Sequence, residues 1–427
     1  MIIRVRVLNA NPVDCKVMDL EAVIEKLVPG GFGLARTHEG VLLVRGALPG
    51  ERVRVRAERK KNHLEGEVLA VIEPSPDRED PGLPPGADLP LAYEAQRPVK
   101  EGFVRESLAR VARLEAEVHP IRPSPAPLGY RTAAQFALHP LGGLAYRIPA
   151  SGELVRVEDD PLLAEPLREA LRLLNTWPLV GLEEVALRGS LHTGEVQLGL
   201  VGGKARHFRK AAEGLVEAGI AGVWWGAADP RGRFRGPTRL LAGKETLLER
   251  YGELEVQIDV VSFAQVNPGA AAALYAEAAR LAGSGGSALE LYGGSGALGF
   301  FLAQHYARVT VTDLNRRSIE KGRADAARLG LENVRFARAD AREAARFGPA
   351  ELVAVDPPRS GLAKETLAAL VELRPERIVY IACDPATWAR DVARLAERGY
   401  RLDFVRPYDF FPYTHHVEVL SYLTKST

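Results

Sequence analysis

The sequence predicts an α/β protein in three parts: a small N-terminal β-barrel, a mixed α+β centre and a C-terminal, doubly wound parallel sheet. Short apolar-alternating runs separated by glycine and proline occupy residues 18–75, a pattern typical of a small all-β barrel. From residue 256 onward, strand-like runs alternate with helical spacing, which indicates right-handed βαβ units. The 427 residues suffice for about three domains, because one domain holds roughly 100–200 residues.

The composition excludes several classes of protein. With 56 basic and 55 acidic side chains, the chain is no globally basic nucleic-acid binder, although local basic patches stay compatible with RNA. No apolar run reaches the ~18 residues of a membrane span, and no signal-peptide core opens the chain. Cys15 and Cys383 are the two cysteines, too few for a disulfide framework, which favours a reducing compartment. We expect a cytoplasmic monomer with no membrane partner.

The N-terminal elements follow in order. Strand-like runs within the predicted barrel cover residues 21–28, 41–45, 52–59 and 65–72. The segment 74–90 is rich in proline, glycine and acidic residues, as linkers are. Residues 91–117 show helical apolar spacing.

The remaining elements alternate between strand and helix. In the centre we predict strands over 135–139, 154–157 and 195–201 and a helix over 162–174. In the C-terminal part we predict strands over 288–292, 308–313, 334–337, 352–356, 377–382 and 417–423 and helices over 318–329, 364–372 and 385–398. Ligands of such sheets bind at the carboxyl ends of the strands.

A glycine-rich loop follows the first of these C-terminal strands and opens a helix. Gly294, Gly296 and Gly299 have the GxGxxG spacing, and Asp313 ends the next strand, where a ribose-binding carboxylate belongs. A nicotinamide dinucleotide and S-adenosylmethionine both fit this pattern, as does a glycine turn without a ligand. Glu290 favours S-adenosylmethionine, because a carboxylate can meet its cationic methionine moiety and would repel a pyrophosphate.

Two further strand ends carry reactive groups. Asp356 precedes two prolines and Arg359; the prolines stop the strand and hold the carboxylate over the cleft. Methyltransferases place their target base near such a motif, although it could also be a plain strand-ending turn. Cys383 lies between a strand and a helix, where the helix dipole lowers a thiol pKa; a buried core cysteine is the alternative.

The last motif is His415-His416-Val417-Glu418. Two adjacent histidines suggest a metal, but no third ligand has suitable spacing, so we expect no metal site. Glu418 is either a general base or a solvated residue of an edge strand.

Together these motifs resemble the 5-methyluridine RNA methyltransferases, the S-adenosylmethionine-dependent enzymes that methylate carbon 5 of uracil in rRNA and tRNA. Residues 23–74 are similar to their N-terminal TRAM domain, an OB-like barrel that binds RNA, and 262–268 to the segment that enters their catalytic domain. The glycine loop, the Asp-Pro-Pro-Arg motif, 382–387 and 416–418 recur in the same order. The resemblance covers nearly the whole chain and implies a Rossmann-like catalytic domain.

The resemblance also implies domains and residue roles. It implies a TRAM barrel over 18–75, an RNA-interacting centre over 76–255, whose helix packs on the catalytic domain, and the methyltransferase domain over 256–427. Cys383 is implied as the nucleophile and Glu418 as the base. The residues implied at S-adenosylmethionine are Gln265, Tyr292, Asp313, Asp340 and Asp356, to which the glycine loop adds Gly294 and Gly296. Phe263 is implied to stack near the flipped base.

The implied reaction explains why these groups are needed. A thiolate that adds to carbon 6 of uracil makes carbon 5 nucleophilic toward the methyl sulfonium. The carbon-5 proton must then leave, which requires a base. Asp356 could orient the uracil amide edge. The base must leave any stack to react, so we expect an unpaired uridine, in rRNA rather than tRNA.

The chain departs from the family pattern at several positions. Residues 81–93 lack the cysteines that hold an iron–sulfur cluster in many members, so we expect no cluster. Asp313 replaces the usual glutamate and Gly293 a common cysteine. Asp384 replaces an asparagine beside the nucleophile, and it would oppose thiolate formation unless it points away or is paired.

Further RNA contacts and rival functions remain open. The basic clusters 59–63, 206–210 and 231–239, the last two with Phe208 and Phe234 interleaved, could bind phosphates or could be solvated loops. A nicotinamide-dependent oxidoreductase would explain only the glycine loop. An RNA-binding protein with an inactive methyltransferase domain would bind without turnover. A third alternative is a cytosine-C5 RNA methyltransferase, which also uses cysteine attack. These enzymes use two cysteines, however, and Cys15 lies far from the catalytic pattern.

Overall fold

An N-terminal sheet closes around its own apolar core. The computed structural model describes residues 17–148 and 151–426; Cys15 lies outside them. In the order β1-β5-β6-β4-β3-β2, the strands are β1 (Val17–Val23), β2 (Lys26–Val28), β3 (Phe32–Thr37), β4 (Gly40–Arg45), β5 (Arg52–Arg59) and β6 (Leu64–Glu73). Strand β5 buries Val53 and Val55 and exposes Arg54 and Arg56, which is the period-two alternation that the sequence predicts.

The linker after this sheet leads into a helix that belongs to the C-terminal core. Helix α1 (Tyr93–Ser107) continues as one π-helical turn, Leu108–Ala112. The predicted helix 91–117 is therefore too long: Arg113 has a left-handed φ of 56° and ends it. Fully buried Lys100 donates to the Asp409 carboxylate at 2.7 Å, so α1 is fixed to the C-terminal part by an ion pair as well as by apolar contacts.

The centre is a seven-stranded sheet with two helices on one face. In the order β13-β12-β11-β10-β7-β8-β9, the strands are β7 (Ala133–Leu138), β8 (Leu144–Arg147), β9 (Leu154–Arg156), β10 (Glu184–Gly189), β11 (Val196–Val201), β12 (Gly222–Gly226) and β13 (Thr238–Gly243). The helices are α2 (Glu165–Thr176) and α3 (Ala205–Glu217). A hairpin, β14 (Leu247–Tyr251) and β15 (Leu254–Ile258), connects this sheet to the last part.

The C-terminal part is a mixed seven-stranded sheet in the order β18-β17-β16-β19-β20-β22-β21. Its strands are β16 (Gly285–Leu291), β17 (Tyr306–Asp313), β18 (Val334–Arg338), β19 (Leu352–Val355), β20 (Arg377–Ala382), β21 (Tyr400–Tyr408) and β22 (Glu418–Lys425). Its helices are α4 (Pro268–Ala282), α5 (Ala297–Leu302), α6 (Arg316–Arg328), α7 (Lys364–Leu373) and α8 (Pro385–Ala396). Strands β16 to β20 are parallel, and β22 and β21 run antiparallel.

The strand order of this sheet reverses between β16 and β19. From β16 the chain proceeds to β17 and β18 on one side, and then returns to place β19 and β20 on the other. A crevice opens outside the carboxyl ends of the strands at such a switch point. The predicted doubly wound fold class is confirmed, and it brings the glycine loop and Asp356 to one crevice. No helix of the described residues is long and apolar enough to cross a membrane.

Candidate active site

The glycine loop turns sharply at the end of β16. Tyr292 and Gly294 have left-handed φ values of 61° and 56°, which is costly for the tyrosine. The Tyr292 hydroxyl lies 3.2 Å from the Thr366 hydroxyl, which holds the ring in place. A Cβ at Gly294 would meet no atom within 4 Å, so this residue faces open space.

The other two glycines of the motif are packed inside the fold. A Cβ at Gly296 would lie 2.6 Å from the Phe336 ring, and one at Gly299 would lie 2.6 Å from Val311. Both positions let α5 approach the sheet closely. Gly296 does not line the crevice, so it serves a cofactor site only by shaping the backbone of the loop.

Two aspartates flank the crevice on the β17 and β18 side. Asp313 Oδ2 accepts from the Gly294 N–H at 3.1 Å, and Oδ1 accepts from the Asn315 N–H at 2.7 Å. Asp340 follows β18 and accepts from the Arg342 N–H at 2.9 Å. The Arg342 guanidinium holds the pKa of Asp340 below its ordinary value. Both carboxylates are therefore fixed by backbone donors at strand ends.

Asp356 lies at the end of β19, on the other side of the switch point. Pro357 and Pro358 follow it and end the strand, as the sequence predicts. Burial raises the pKa of Asp356 to about 7, so its carboxyl group changes charge near neutral pH.

Cys383 follows β20 and precedes α8, but its environment differs from the expected one. Burial, Glu418 and Asp356 raise the pKa of its thiol to about 12. The expectation of a lowered pKa from the helix dipole was therefore wrong, because desolvation and two nearby carboxyl groups outweigh the dipole. Asp384 instead caps α8, accepting from the Thr387 N–H at 2.8 Å, so its charge is paired with the helix N-terminus.

Glu418 begins β22 inside the sheet. Strand β22 lies between β20 and β21, so the alternative of a solvated residue on an edge strand was wrong. Glu418 is 5% exposed. Burial and the neighbouring Asp356 raise the pKa of its carboxyl to about 8, against the opposing effect of Arg359.

A cavity of about 670 Å³ unites these groups, which is within the usual range for ligand sites. Eight of the nine predicted site residues line it: Gln265, Tyr292, Gly294, Asp313, Asp340, Asp356, Cys383 and Glu418. Phe263 also lines it with 74% of its surface exposed, and of the predicted site residues only Gly296 stands outside the lining.

Glu290 occupies a different place from the one that the sequence argument gave it. It is 4% exposed behind the glycine loop, and its Oε2 has no hydrogen-bond partner. It lines a small adjoining cavity of about 60 Å³ with Gln265 and Gly294. Burial and Asp356 raise its pKa well above the ordinary value.

Three ionisable residues of the cavity lining escaped the sequence analysis as site residues: Arg235, Arg359 and His416. Arg359 Nη2 lies 3.0 Å from His416 Nδ1, and burial, His415 and Arg359 lower the pKa of His416 to about 3. Arg359 and His416 belong to motifs that the sequence analysis quoted. Arg235 reaches the cavity from the central sheet, a long-range placement for which the sequence carried no signal.

His415 points away from the cavity toward the linker. Its Nδ1 lies 2.6 Å from Asp88 Oδ2, and its N–H donates to Asp88 Oδ1 at 2.9 Å. Within residues 17–148 and 151–426, no group of three or more His, Cys, Asp or Glu side chains is arranged to hold a metal ion.

Comparisons with known proteins show which proteins the chain resembles. The sequence profile of the tRNA (uracil-5-)-methyltransferase family matches residues 346–426. The chain is 32% identical to an uncharacterized RNA methyltransferase of Nitratidesulfovibrio vulgaris, over 95% of this chain and 96% of that one. It is 32% identical to another of Thermosynechococcus vestitus, over 95% of this chain and 98% of that one.

A solved structure is similar over the same extent. The Pyrococcus abyssi tRNA (uracil-54, C5)-methyltransferase in complex with S-adenosyl-L-homocysteine matches with a TM-score of 0.74 and 26% identity, over 95% of this chain and 100% of that one. Of the two cofactors that the glycine loop left open, these matches support S-adenosylmethionine.

Proposed function

Because the chain belongs to the S-adenosylmethionine-dependent RNA (uracil-5-)-methyltransferases, we propose that it methylates carbon 5 of a uridine through a covalent adduct on Cys383. The observation that carries this proposal is the convergence of Cys383, Asp356 and Glu418 on one cavity. A thiol and two carboxyl groups of raised pKa are the groups that this reaction requires.

The cavity residues fit S-adenosylmethionine, which supplies an electrophilic methyl group when bound. Asp313 is fixed at the end of β17 by two backbone donors, where a carboxylate can accept from ribose hydroxyls. Gly294 presents backbone without a side chain to open space. We propose that Gln265, Tyr292 and Asp340, which line the same cavity, complete the cofactor site.

We propose that Cys383 activates the uracil ring. Its sulfur bonds to carbon 6, and the electrons of the C5–C6 double bond move toward O4, which leaves carbon 5 nucleophilic. The raised thiol pKa means that the free enzyme holds a protonated thiol, so the S–H proton passes to solvent as the sulfur bonds to carbon 6.

Glu418 is proposed to complete the reaction as the general base. After carbon 5 has bonded to the methyl group, Glu418 takes the remaining proton from carbon 5, the C5–C6 double bond forms again, and the sulfur leaves carbon 6 as a thiolate. A carboxylate with a pKa of about 8 is a stronger base than an ordinary one and is matched to neutral pH. Asp356, beside it, is proposed to hold the uracil amide edge.

Covalent trapping tests this proposal. RNA that contains 5-fluorouridine has no proton on carbon 5, so wild-type protein with S-adenosylmethionine should give an adduct that survives denaturant. Cys383→Ala should give none. Glu418→Gln should accumulate the same kind of adduct on ordinary RNA, because proton removal is blocked while sulfur addition is not. If S-adenosylmethionine binds but wild type gives no adduct on rRNA or tRNA, the mechanism is wrong.

The RNA class is a separate part of the proposal. We propose rRNA as the substrate, with tRNA as the second candidate. The barrel and the large centre support rRNA, because both are more similar to those of the rRNA members of the family. The Pyrococcus abyssi enzyme, which matches the same parts, is named for tRNA and supports the second candidate. Mapping the trapped adduct on total cellular RNA distinguishes the two.

The domain organisation, the oligomeric state and the location of the protein are also proposals. We propose domain boundaries near residues 75 and 255, a TRAM-like role for the barrel, and action as a monomer in the cytoplasm. Size-exclusion chromatography coupled to light scattering tests the monomer.

A further inference from the structure

The basic residues of the N-terminal sheet and those of the central part differ in how many have a carboxylate as an ion-pair partner. All six arginines of the N-terminal sheet have a carboxylate within ion-pair distance: Arg36, Arg45, Arg52, Arg54, Arg56 and Arg59. Cross-strand pairing produces three of these six ion pairs, as when Arg54 meets Glu21 of β1 at 3.0 Å. A phosphate must compete with a carboxylate for each of these guanidinium groups.

The opposite holds at one end of the central sheet. Six exposed basic residues there, which we call the α3 edge, are Lys204, Arg206, Arg209, Lys210, Arg235 and Arg239. Among the described residues, none of the six has a carboxylate within 4.0 Å. In the same loop as Arg235, Arg231 and Arg233 are paired, with Asp229 at 2.7 Å and Glu184 at 2.6 Å.

Hydrogen bonds place these residues together. The loop before α3 meets the end of β12, where the Gly202 N–H donates to the Gly226 carbonyl at 3.1 Å and Trp225 Nε1 donates to the Gly202 carbonyl at 2.8 Å. Gly226 in turn pairs with Thr238 at the start of β13. The start of α3 and the β12–β13 loop therefore lie at the same end of the sheet.

The β12–β13 loop also reaches the active-site cavity. A Cβ built at Gly199 or at Gly226 would lie 2.6 Å from the ring of Phe234. The ring therefore packs directly on these two glycines and anchors the loop against the sheet. The next residue, Arg235, lines the cavity. One residue of the α3 edge, Arg235, therefore lines the cavity, and the others lie at the same end of the central sheet.

The clustering costs stability, which indicates a function. Arg206 and Lys210 are four residues apart on one helix face, where like charges repel. Cations in a first helical turn also oppose the helix dipole, and α3 has no acidic residue there. Phe208 is only 8% exposed and packs in the core, so the surface presents charge and not stacking rings.

We propose that the α3 edge binds the phosphate backbone of the RNA next to the cavity, and that it contributes more to the salt-dependent part of RNA binding than the paired arginines of the barrel do. The inference rests on the proposed function for the identity of the polyanion. It names the central part, rather than the barrel, as the main salt-sensitive RNA surface. Unpaired cations displace counterions from phosphates without breaking an existing ion pair.

Two triple variants with the same change in charge test this. One combines Arg206→Gln, Arg209→Gln and Lys210→Gln; the matched control combines Arg52→Gln, Arg54→Gln and Arg56→Gln in the barrel. Binding of a fluorescein-labelled oligouridylate, about 20 nucleotides long, is followed by anisotropy over a salt series without S-adenosylmethionine. The α3 variant should reduce the slope of log affinity against log salt by about 2, since each single-strand contact contributes about 0.7.

The control should change the slope by less than one contact, about 0.7. Both variants should bind S-adenosylmethionine like wild type, which shows an intact fold. Equal slopes for the α3 variant and wild type, a larger loss in the barrel variant, or no salt-dependent binding by wild type would each overturn the inference. Because no chemistry occurs in this assay, a failure of covalent trapping with normal salt-dependent binding would reject the proposed reaction alone.

Discussion

Glu418 and Asp356 share a buried pocket, and the Asp356 carboxylate raises the electrostatic cost of charging Glu418. Burial and Asp356 together raise the pKa of Glu418 to about 8, whereas burial alone raises the pKa of Asp356 to about 7. The active-site base is therefore protonated in a large fraction of molecules just below neutral pH.

This coupling predicts how the covalent adduct depends on pH. Below the pKa of Glu418 the base is protonated and cannot take the carbon-5 proton, so adduct on ordinary RNA should accumulate. As pH rises through about 8, the steady-state adduct should fall. Asp356→Asn removes the neighbouring negative charge and should move this midpoint to lower pH. Rapid quenching into denaturant at a series of pH values measures the adduct.

The control for this experiment is Glu245→Gln, a carboxylate with 66% of its side chain exposed outside the cavity, which should leave the midpoint where it is in wild type. An Asp356→Asn midpoint equal to that of wild type would show that the two carboxyl groups are not coupled.

At the scale of single elements, strands with a simple burial pattern were predictable, whereas β3, β8, β10, β12 to β15 and β21 were not predicted. Strand β5 alternates buried and exposed residues, and β19 is buried throughout, and both patterns are visible in the sequence. The end of α1 was not predictable from the sequence, because a π-helical turn and the left-handed Arg113 terminate the helix without a glycine or proline.

The glycine motif is a second case in which the sequence pattern did not predict the three-dimensional arrangement. Spacing alone assigned Gly294 and Gly296 to the cofactor, but only Gly294 lines the cavity. Which glycine faces a ligand and which faces a helix depends on the three-dimensional path of the loop. The raised pKa of Cys383 was missed for a related reason, because Asp356 and Glu418 approach it only through the fold.

Two alanine substitutions separate these roles. Gly299→Ala would place a Cβ 2.6 Å from Glu290 and Val311, and such overpacking typically costs about 1–3 kcal/mol of unfolding free energy. Gly294→Ala meets no atom, so its stability cost should be limited to left-handed strain, about 1–2 kcal/mol. Its methyl group faces the cavity and should weaken binding of S-adenosylmethionine.

Urea unfolding measures the first effect and calorimetric titration of S-adenosylmethionine the second. Gly299→Ala should lose more stability, and Gly294→Ala more affinity. The reverse order would contradict the assignment of Gly294 to the cofactor site and of Gly299 to packing.

At the scale of the whole molecule, Asp88 connects the barrel to the C-terminal part that holds the active site. It lies in the linker, and Oδ2 meets Arg45 of β4 at 3.1 Å and His415 Nδ1 at 2.6 Å. The barrel turn packs against the same place, since a Cβ at Gly31 would lie 2.7 Å from the His415 Cβ. The next residue, His416, lines the cavity, so the barrel is fixed close to the catalytic groups.

The titration of Asp88 predicts a pH-dependent contribution to stability. Burial raises the pKa of its carboxyl, but hydrogen bonds and charge from His415 outweigh burial and hold it below the ordinary value. A depressed pKa stabilises the folded state above the unfolded pKa of about 4, and this stabilisation is lost as pH falls through the folded pKa. Asp88→Asn should therefore cost about 1–3 kcal/mol near pH 7, and the difference from wild type should shrink steadily in acid.

Urea unfolding at several pH values measures this difference, with Asp77→Asn as the matched control, because Asp77 is an exposed carboxylate of the same linker. The control should follow wild type at every pH. A stability loss in Asp88→Asn that is the same at neutral and acidic pH would mean that the residue acts through its shape alone. A loss that disappears in acid would show that the negative charge of Asp88, shared between Arg45 and His415, holds the barrel on the catalytic part.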